Sequence, residues 1–227
     1  GQLYAGGSFA TAGGAPLYER DAAYIARFDG TEWHPVGGGM NANVTDMVIY
    51  NGELVVSGFF TRAAYLTSKG TENPGSISAN YIARWNGTSW SPLGSGMNGK
   101  VTALAVHNGM LYAGGSFTTA GGVPAASIAK WNGTSWSSVG SGISGGGQIY
   151  TLASYNNELY AGGTFTAGGG NAGNHIMSWD GVNWKSVGSG TDGNVIFLFP
   201  YGPDLMVGGS FSTAGGYSAQ NVAKYFI

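Results

Sequence analysis

Short apolar runs, five to seven residues long and separated by glycine and asparagine, recur along this chain. The clearest example starts at Val101. It reads Val101-Thr-Ala-Leu-Ala-Val-His107, turns at Asn108-Gly109, and continues as Leu111-Tyr-Ala-Gly-Gly-Ser-Phe117. A small-residue loop, 118–125, leads to Ser127-Ile-Ala-Lys-Trp131, then Asn132-Gly133 and Thr134-Ser-Trp-Ser-Ser-Val-Gly140. Runs this short, rich in β-branched and aromatic residues and bounded by turn formers, predict strands rather than helices. We name the four runs A (101–107), B (111–117), C (127–131) and D (135–139).

The same unit returns along the chain. Run B recurs at 3–9, 54–60, 159–165 and 205–211, so successive copies start 51, 57, 48 and 46 residues apart. Run C recurs at 24–28, 81–85, 175–179 and 221–225, while A and D appear four times each. A four-strand repeat of about 40–50 residues is the period of a propeller blade. The prediction is an all-β fold, a β-propeller of five blades with up to four antiparallel strands each. The repeats fall at 1–43, 44–100, 101–147, 148–193 and 194–227 of a single domain. The first copy has B, C and D, and the last has A, B and C. These terminal pieces are expected to form the seam blades, either three-stranded or completed by strands of a parent protein. A piece of a six- or seven-bladed ring is the competing reading.

One four-stranded sheet has two faces and cannot bury both alone. Radial stacking buries each on its neighbour and leaves only short edges. The Gly-Gly of run B suits a bulge or the close approach of a neighbouring blade. Asn51-Gly52 and Asn108-Gly109 join A to B. Asp29-Gly30, Asn86-Gly87, Asn132-Gly133 and Asp180-Gly181 join C to D. Both sets predict two-residue hairpin turns with positive φ at the two central positions.

Composition narrows the function classes. Glycine is 43 of 227 residues, yet it sits in register within a pattern holding 13% aromatics, which reads as a packed core rather than disorder. Only 9% of residues are charged and the net charge is -2, so there is no basic stripe to neutralise nucleic-acid phosphates. No polybasic cluster or long apolar segment points to membrane insertion. Cysteine is absent, which rules out disulfides and thiolate metal sites. Richness in Gly, Ser, Thr, Asn and Trp with few lysines points to a secreted or cell-surface protein. Gly1 falls in the turn ahead of run B and reads as the start of a trimmed or processed piece.

The Asn-Gly turns, Leu-Tyr-Ala-Gly-Gly-Ser-Phe and Trp-Asn-Gly-Thr-Ser-Trp together resemble the glycine-rich β-propeller repeats of secreted and surface proteins of bacteria. They are also similar to repeats in fungal cortical polarity-marker proteins. The A–B–C–D order parallels propeller repeats of the Trp-Asp type. The count of five resembles the tachylectin-type lectin in blade number only, with no matching sugar-binding motif. The resemblance implies a fold and leaves the activity open, because propellers host many.

Seven tryptophans, Trp33, Trp85, Trp90, Trp131, Trp136, Trp179 and Trp184, lie at or beside the C–D turns. Exposed indoles could stack on sugars, but recurrence at one repeat position predicts cross-strand structural pairs. Asp29, Asp180, Asn86 and Asn132 are read as turn residues rather than metal ligands. His34, His107 and His175 fall in different repeats without metal or triad spacing, and His107 aligns with Tyr50, Tyr155 and Tyr201 as an aromatic filler. Asn43, Asn86 and Asn132 begin N-glycosylation sequons.

The best site candidates are the two irregular B–C loops, 10–23 and 61–80. They gather Tyr18, Glu19, Arg20, Asp21, Arg62, Tyr65, Lys69 and Glu72 in an otherwise charge-poor chain. Insertions on one face of a repeat array often mark its binding face. The expected function is non-enzymatic: a binding or adhesion module for a glycan or protein, with no cofactor. An architectural spacer or assembly subunit, self-associating through seam edges, is the second reading. A hydrolase or lyase at a central channel ranks last, since strand A offers Asp46 alone.

Overall fold

Runs A to D pair with their sequence neighbours as antiparallel ladders in a computed structural model that describes residues 2–13, 22–67 and 70–225. All regular elements among the described residues are strands. The chain divides into two compact units, Gly1–Val101 and Thr102–Ile227.

The first unit holds a three-stranded sheet, Leu3–Gly6, Ile25–Phe28 and Trp33–Pro35, and a four-stranded sheet, Val44–Tyr50, Glu53–Gly58, Ile82–Trp85 and Trp90–Pro92. Its core joins Ile25, Val36, Met40, Val44, Val56 and Phe60. From the last residues of the first unit into the second, Lys100–His107, Met110–Ser116, Ile128–Trp131 and Trp136–Ser138 form one four-stranded sheet. Ile149–Tyr155, Glu158–Gly163, Ile176–Trp179 and Trp184–Ser186 form another, and Asn194–Tyr201, Asp204–Ser210 and Val222–Tyr225 a three-stranded one. The fold is all-β, with repeated, propeller-like antiparallel sheets.

The first glycine of strand B is the socket of the inter-sheet joint. A Cβ on Gly6 would lie 2.5 Å from Val44 Cγ1, on Gly114 2.6 Å from Ile149 Cγ2, and on Gly162 2.5 Å from Val195 Cγ1. Val44, Ile149 and Val195 each open strand A of the following repeat and are buried. Repeat two departs from this rule: Ser57 takes the socket, fully buried, with its Oγ unpartnered.

The second glycine accommodates a bulge, the alternative anticipated for the Gly-Gly pair. Strand register slips between Val44 and Asp46, Ile149 and Thr151, and Val195 and Phe197. At Gly58, Gly163 and Gly209 a Cβ would sit 2.0, 2.0 and 1.9 Å from the carbonyl oxygens of Asn43, Gln148 and Asn194. A polar side chain also bridges the joint, where Thr102 Oγ1 donates to the Ile149 carbonyl.

The A–B turns follow expectation. Asn51 and Gly52 have φ of 50° and 81°, and Asn108 and Gly109 of 47° and 72°. The C–D turns do not. Only their glycines have positive φ, and Trp131 pairs with Trp136 across a four-residue loop. There the Asn132 Oδ1 accepts from Thr134 N, Ser135 N and Thr134 Oγ1, all at 2.9 Å. The Asx side chain closes this turn, so its backbone has no need of the left-handed region.

The small-residue B–C loops carry more order than expected. Thr119–Ala120 pairs with Val123–Pro124, Ala167–Gly168 with Asn171–Ala172, and Thr213–Ala214 with Tyr217–Ser218. Each is a miniature hairpin turned through Gly-Gly, with positive φ at both glycines.

Candidate functional site

The B–C loop of repeat two folds back on itself. Arg62–Ala63 pairs with Ile77–Ser78, which closes the base of the excursion. Asn41 Oδ1 accepts from Thr61 N and Arg62 N, both at 2.9 Å. Tyr65 N and Leu66 N donate to the carbonyls of Gly39 and Gly38 at 3.2 and 2.8 Å, which ties the loop to the neighbouring D–A connection. Asn73 N donates to the Tyr65 carbonyl at 2.7 Å, and its Nδ2 to that of Ala64 at 3.0 Å. Across the top, Arg62 Nη1 meets Glu72 Oε1 at 3.1 Å, with the two side chains 41% and 58% exposed. A pair this wet contributes about 0–1 kcal/mol. Its larger effect is to set two opposite charges side by side on the loop.

The structure thus brings together Arg62 and Glu72 of the expected set, and ties Tyr65 into the same loop through its backbone. Tyr18, Glu19, Arg20, Asp21 and Lys69 lie outside the described residues, and so does the expected convergence of the two loops. Sequence reading missed Asn41 and Asn73, which brace the loop. A repeated signal existed: Asp192 clamps Ser212 and Thr213 of repeat five as Asn41 clamps repeat two.

The tryptophans behave as cross-strand pairs. Phe28–Trp33, Trp85–Trp90, Trp131–Trp136 and Trp179–Trp184 have ring centroids 5.2, 5.2, 5.3 and 5.5 Å apart. Trp90 and Trp184 are 6% and 2% exposed, and their Nε1 atoms donate to the Val36 and Val139 carbonyls of the preceding repeats at 2.9 and 3.1 Å. Indoles seated this way hold successive repeats together.

The turn acids are occupied as well. Asp29 accepts from the Glu32 and Thr31 amides, from the Thr31 hydroxyl and from His34 at 2.7 Å, which holds its carboxyl far below the usual carboxylate range. The Asn183 amide, Lys185 and the Val182 amide hold Asp180 down to about 2. His107 is buried, edge-on to Tyr112 at 6.0 Å, with Nδ1 2.8 Å from Ser154 Oγ. Burial lowers its pKa, opposed in part by Glu158.

A second surface belongs to repeat five. A groove of about 290 Å³ opens between Val187 and Gly188 of repeat four and Gly215, Tyr217, Ala223 and Tyr225 of repeat five. On the other face of the repeat-five sheet, strand A carries Phe197, Phe199 and Tyr201, which are 45%, 58% and 68% exposed. At the socket position, Gly208 meets Phe197 of its own sheet, where Gly162 meets the next repeat.

No family model matches the chain, and no curated protein matches its sequence. Solved structures match its fold. The extracellular domain of a one-component-system protein from B. thetaiotaomicron is 9% identical with a TM-score of 0.57, over 90% of this chain and 25% of that one. A chain of the mitotic checkpoint complex is 14% identical with a TM-score of 0.52, over 89% of this chain and 57% of that one. The computationally designed Ika4 protein is 16% identical with a TM-score of 0.49, over 83% of this chain and 94% of that one. The chain therefore spans about a quarter and just over half of the first two. At these identities the likeness concerns the fold alone.

Proposed function

We propose that this chain is a non-enzymatic binding or adhesion module that recognises a glycan or protein through the B–C loops of its first two repeats. The observation that carries this reading is the bracing of loop 61–80. An insertion that only filled solvent would not require Asn41, Asn73, a two-residue ladder and an ion pair to fix it. Pre-organised loops lose little entropy on binding, so the contacts they make convert more fully into affinity. We place the module in a glycine-rich propeller repeat family of secreted or surface proteins, with the five repeats as blades of one propeller. The motif resemblance and the sparse charge support that placement. Screening on glycan and surface-protein arrays identifies the partner. Arg20→Ala combined with Tyr65→Ala then weakens binding several-fold and leaves the melting temperature unchanged. Unchanged affinity in that variant refutes the site.

A second reading, an architectural or assembly subunit, is favoured by repeat five. Its exposed Phe197, Phe199 and Tyr201 continue the sheet face that earlier repeats cover with a neighbour. Sedimentation at several concentrations tests it, and a monomer at every concentration speaks against it.

A further inference from the structure

In repeat two the chain itself fills the place beside the tryptophan pair. A Cβ on Gly37 would lie 2.2 Å from Trp85, and one on Gly38 2.2 Å from the Leu66 carbonyl oxygen. Leu66 N donates to the Gly38 carbonyl at 2.8 Å. In repeat four the matching place is open. Ser141 stands where Gly38 stands, and the short hairpin of Ala167–Gly168 and Asn171–Ala172 replaces the long loop. A cleft of about 130 Å³ is left there, walled by Gly140, Ser141, Gly169, Asn171, Asn183 and Trp184. A second cleft, of about 320 Å³, shares Gly140 and Ser141 with it and is lined on the repeat-three side by Pro124, Ala125 and Ser138. Both lie within the unit Thr102–Ile227.

The floor of the smaller cleft is fixed. Trp184 donates its indole N–H to the Val139 carbonyl at 3.1 Å, and Asn171 Nδ2 donates to the Trp184 carbonyl at 2.8 Å. Gly140 and Gly169 rest on the indoles, since a Cβ would lie 2.9 Å from Trp179 on the first and 3.0 Å from Trp184 on the second. Among the described residues, the Asn183 side-chain amide, Asn171 Oδ1 and the Ser141 hydroxyl and carbonyl have no hydrogen-bond partner. No charged residue lines either cleft, and the adjacent Asp180 is paired with Lys185 at 2.9 Å. An anionic ligand would find no cation here, and an apolar anchor residue would find polar walls. Side-chain amides and hydroxyls each offer donors and acceptors, which is what a ring bearing several hydroxyls requires.

We propose that the adjoining clefts of repeats three and four bind a neutral oligosaccharide, with one sugar ring in each. In the repeat-four cleft the ring hydroxyls bond to Asn183, Asn171 Oδ1 and Ser141, and ring C–H groups rest on Val182, which is 75% exposed at the rim. In the repeat-three cleft Ser138 supplies a hydroxyl, and Pro124 and Ala125 an apolar wall. The fixed floor keeps the ordering cost of binding low. Repeat two closes its own place with Leu66, so the site belongs to repeats that keep the short hairpin. This assignment rests on the glycan side of the binding reading and gives it residues other than those of loops 10–23 and 61–80.

The probes are maltose, cellobiose, lactose, mannobiose and diacetylchitobiose, each titrated into the isotope-labelled full chain and followed by NMR. The side-chain amides of Asn171 and Asn183 and the backbone amide of residue 141 report the site. At least one disaccharide is expected to shift these signals saturably. Asn183→Ala combined with Ser141→Ala is expected to bind it about tenfold more weakly, the loss of two hydrogen bonds. Both side chains are exposed, and the remaining amide signals report the fold. If the double variant unfolds, Ser141→Leu carries the test: it fills the junction of the clefts and is expected to abolish binding. No saturable shift at these residues from any of the sugars, or equal affinity in the variants, overturns the proposal. So does a tetraserine peptide that moves the same signals when no sugar does. Arg20→Ala with Tyr65→Ala separates the two surfaces. Sugar binding lost in that variant and kept in the Asn183 variant sinks the clefts and leaves the loops standing. The reverse pattern sinks the loops as the glycan site and leaves the clefts.

Discussion

Gly162→Ala tests one of the tightest points of the inter-sheet joint. The added Cβ would lie 2.5 Å from Val195 Cγ1 and 2.9 Å from Thr151 Cγ2. Carbon atoms rest at about 3.5–4.0 Å, so strand A of repeat five must retreat by about 1 Å or the side chains must leave their rotamers. Such overpacking costs about 1–3 kcal/mol. At an uncrowded position with negative φ the same change gains about 0.4–1 kcal/mol through the unfolded chain, so the sign itself is diagnostic. Val195→Ala empties the space at about 0.8 kcal/mol per methyl plus a cavity term, roughly 2 kcal/mol in all. In the double variant the new methyl occupies volume that Val195 gave up. The two costs therefore fall short of adding by about 1 kcal/mol or more. Urea unfolding of the four proteins, with m held constant, measures the coupling. Additivity within about 0.5 kcal/mol would show that these residues do not press on each other, and the socket account fails.

Three further outcomes follow from the turns and from His107. Asn108 has φ of 47°, so Asn108→Gly is near neutral and Asn108→Ala loses about 1 kcal/mol. Asn132 works through its side chain, so Asn132→Asp is tolerated while Asn132→Gly and Asn132→Ala each lose about 1 kcal/mol by urea midpoint. Rescue of Asn132 by glycine would refute the Asx account. His107 titrates below its ordinary 6.5 in the folded chain, so the unfolded chain takes the proton first. Its contribution is intact above 6.5 and is lost as pH falls from there toward the folded value. His107→Tyr, matching Tyr50, Tyr155 and Tyr201, flattens the urea midpoint between about pH 7.5 and 5.5. Parallel pH curves for the two proteins would contradict this.

The strands were legible because two independent signals agreed. Runs of five to seven apolar residues set their length, and in-register glycine and asparagine set their ends. The role of Gly-Gly was legible as close approach or a bulge, and the two glycines divide those tasks. The turns were only half legible. One dipeptide, Asn-Gly, serves two geometries, and the choice depends on whether amides two and three residues on can reach the Asn oxygen. The hairpins at 119–124, 167–172 and 213–218 were hidden because two-residue ladders leave no periodic pattern. At the loop, charge and length drew attention to Arg62 and Glu72, but their pairing across ten positions is a tertiary fact. The groove was harder still, since Val187, Gly188, Gly215 and Tyr225 meet only after folding.

The glycine–valine joint has an evolutionary corollary. Excising residues 148–193 would set Gly114 against Val195, the same kind of contact that Gly162 makes now. Inserting another copy would create two such contacts from one. Genes built from these units can therefore gain or lose a whole repeat by recombination without redesigning either flank, so copy number can drift quickly between related species. The boundary of repeat two, with Ser57 in place of the glycine, is where such an exchange would fit least well.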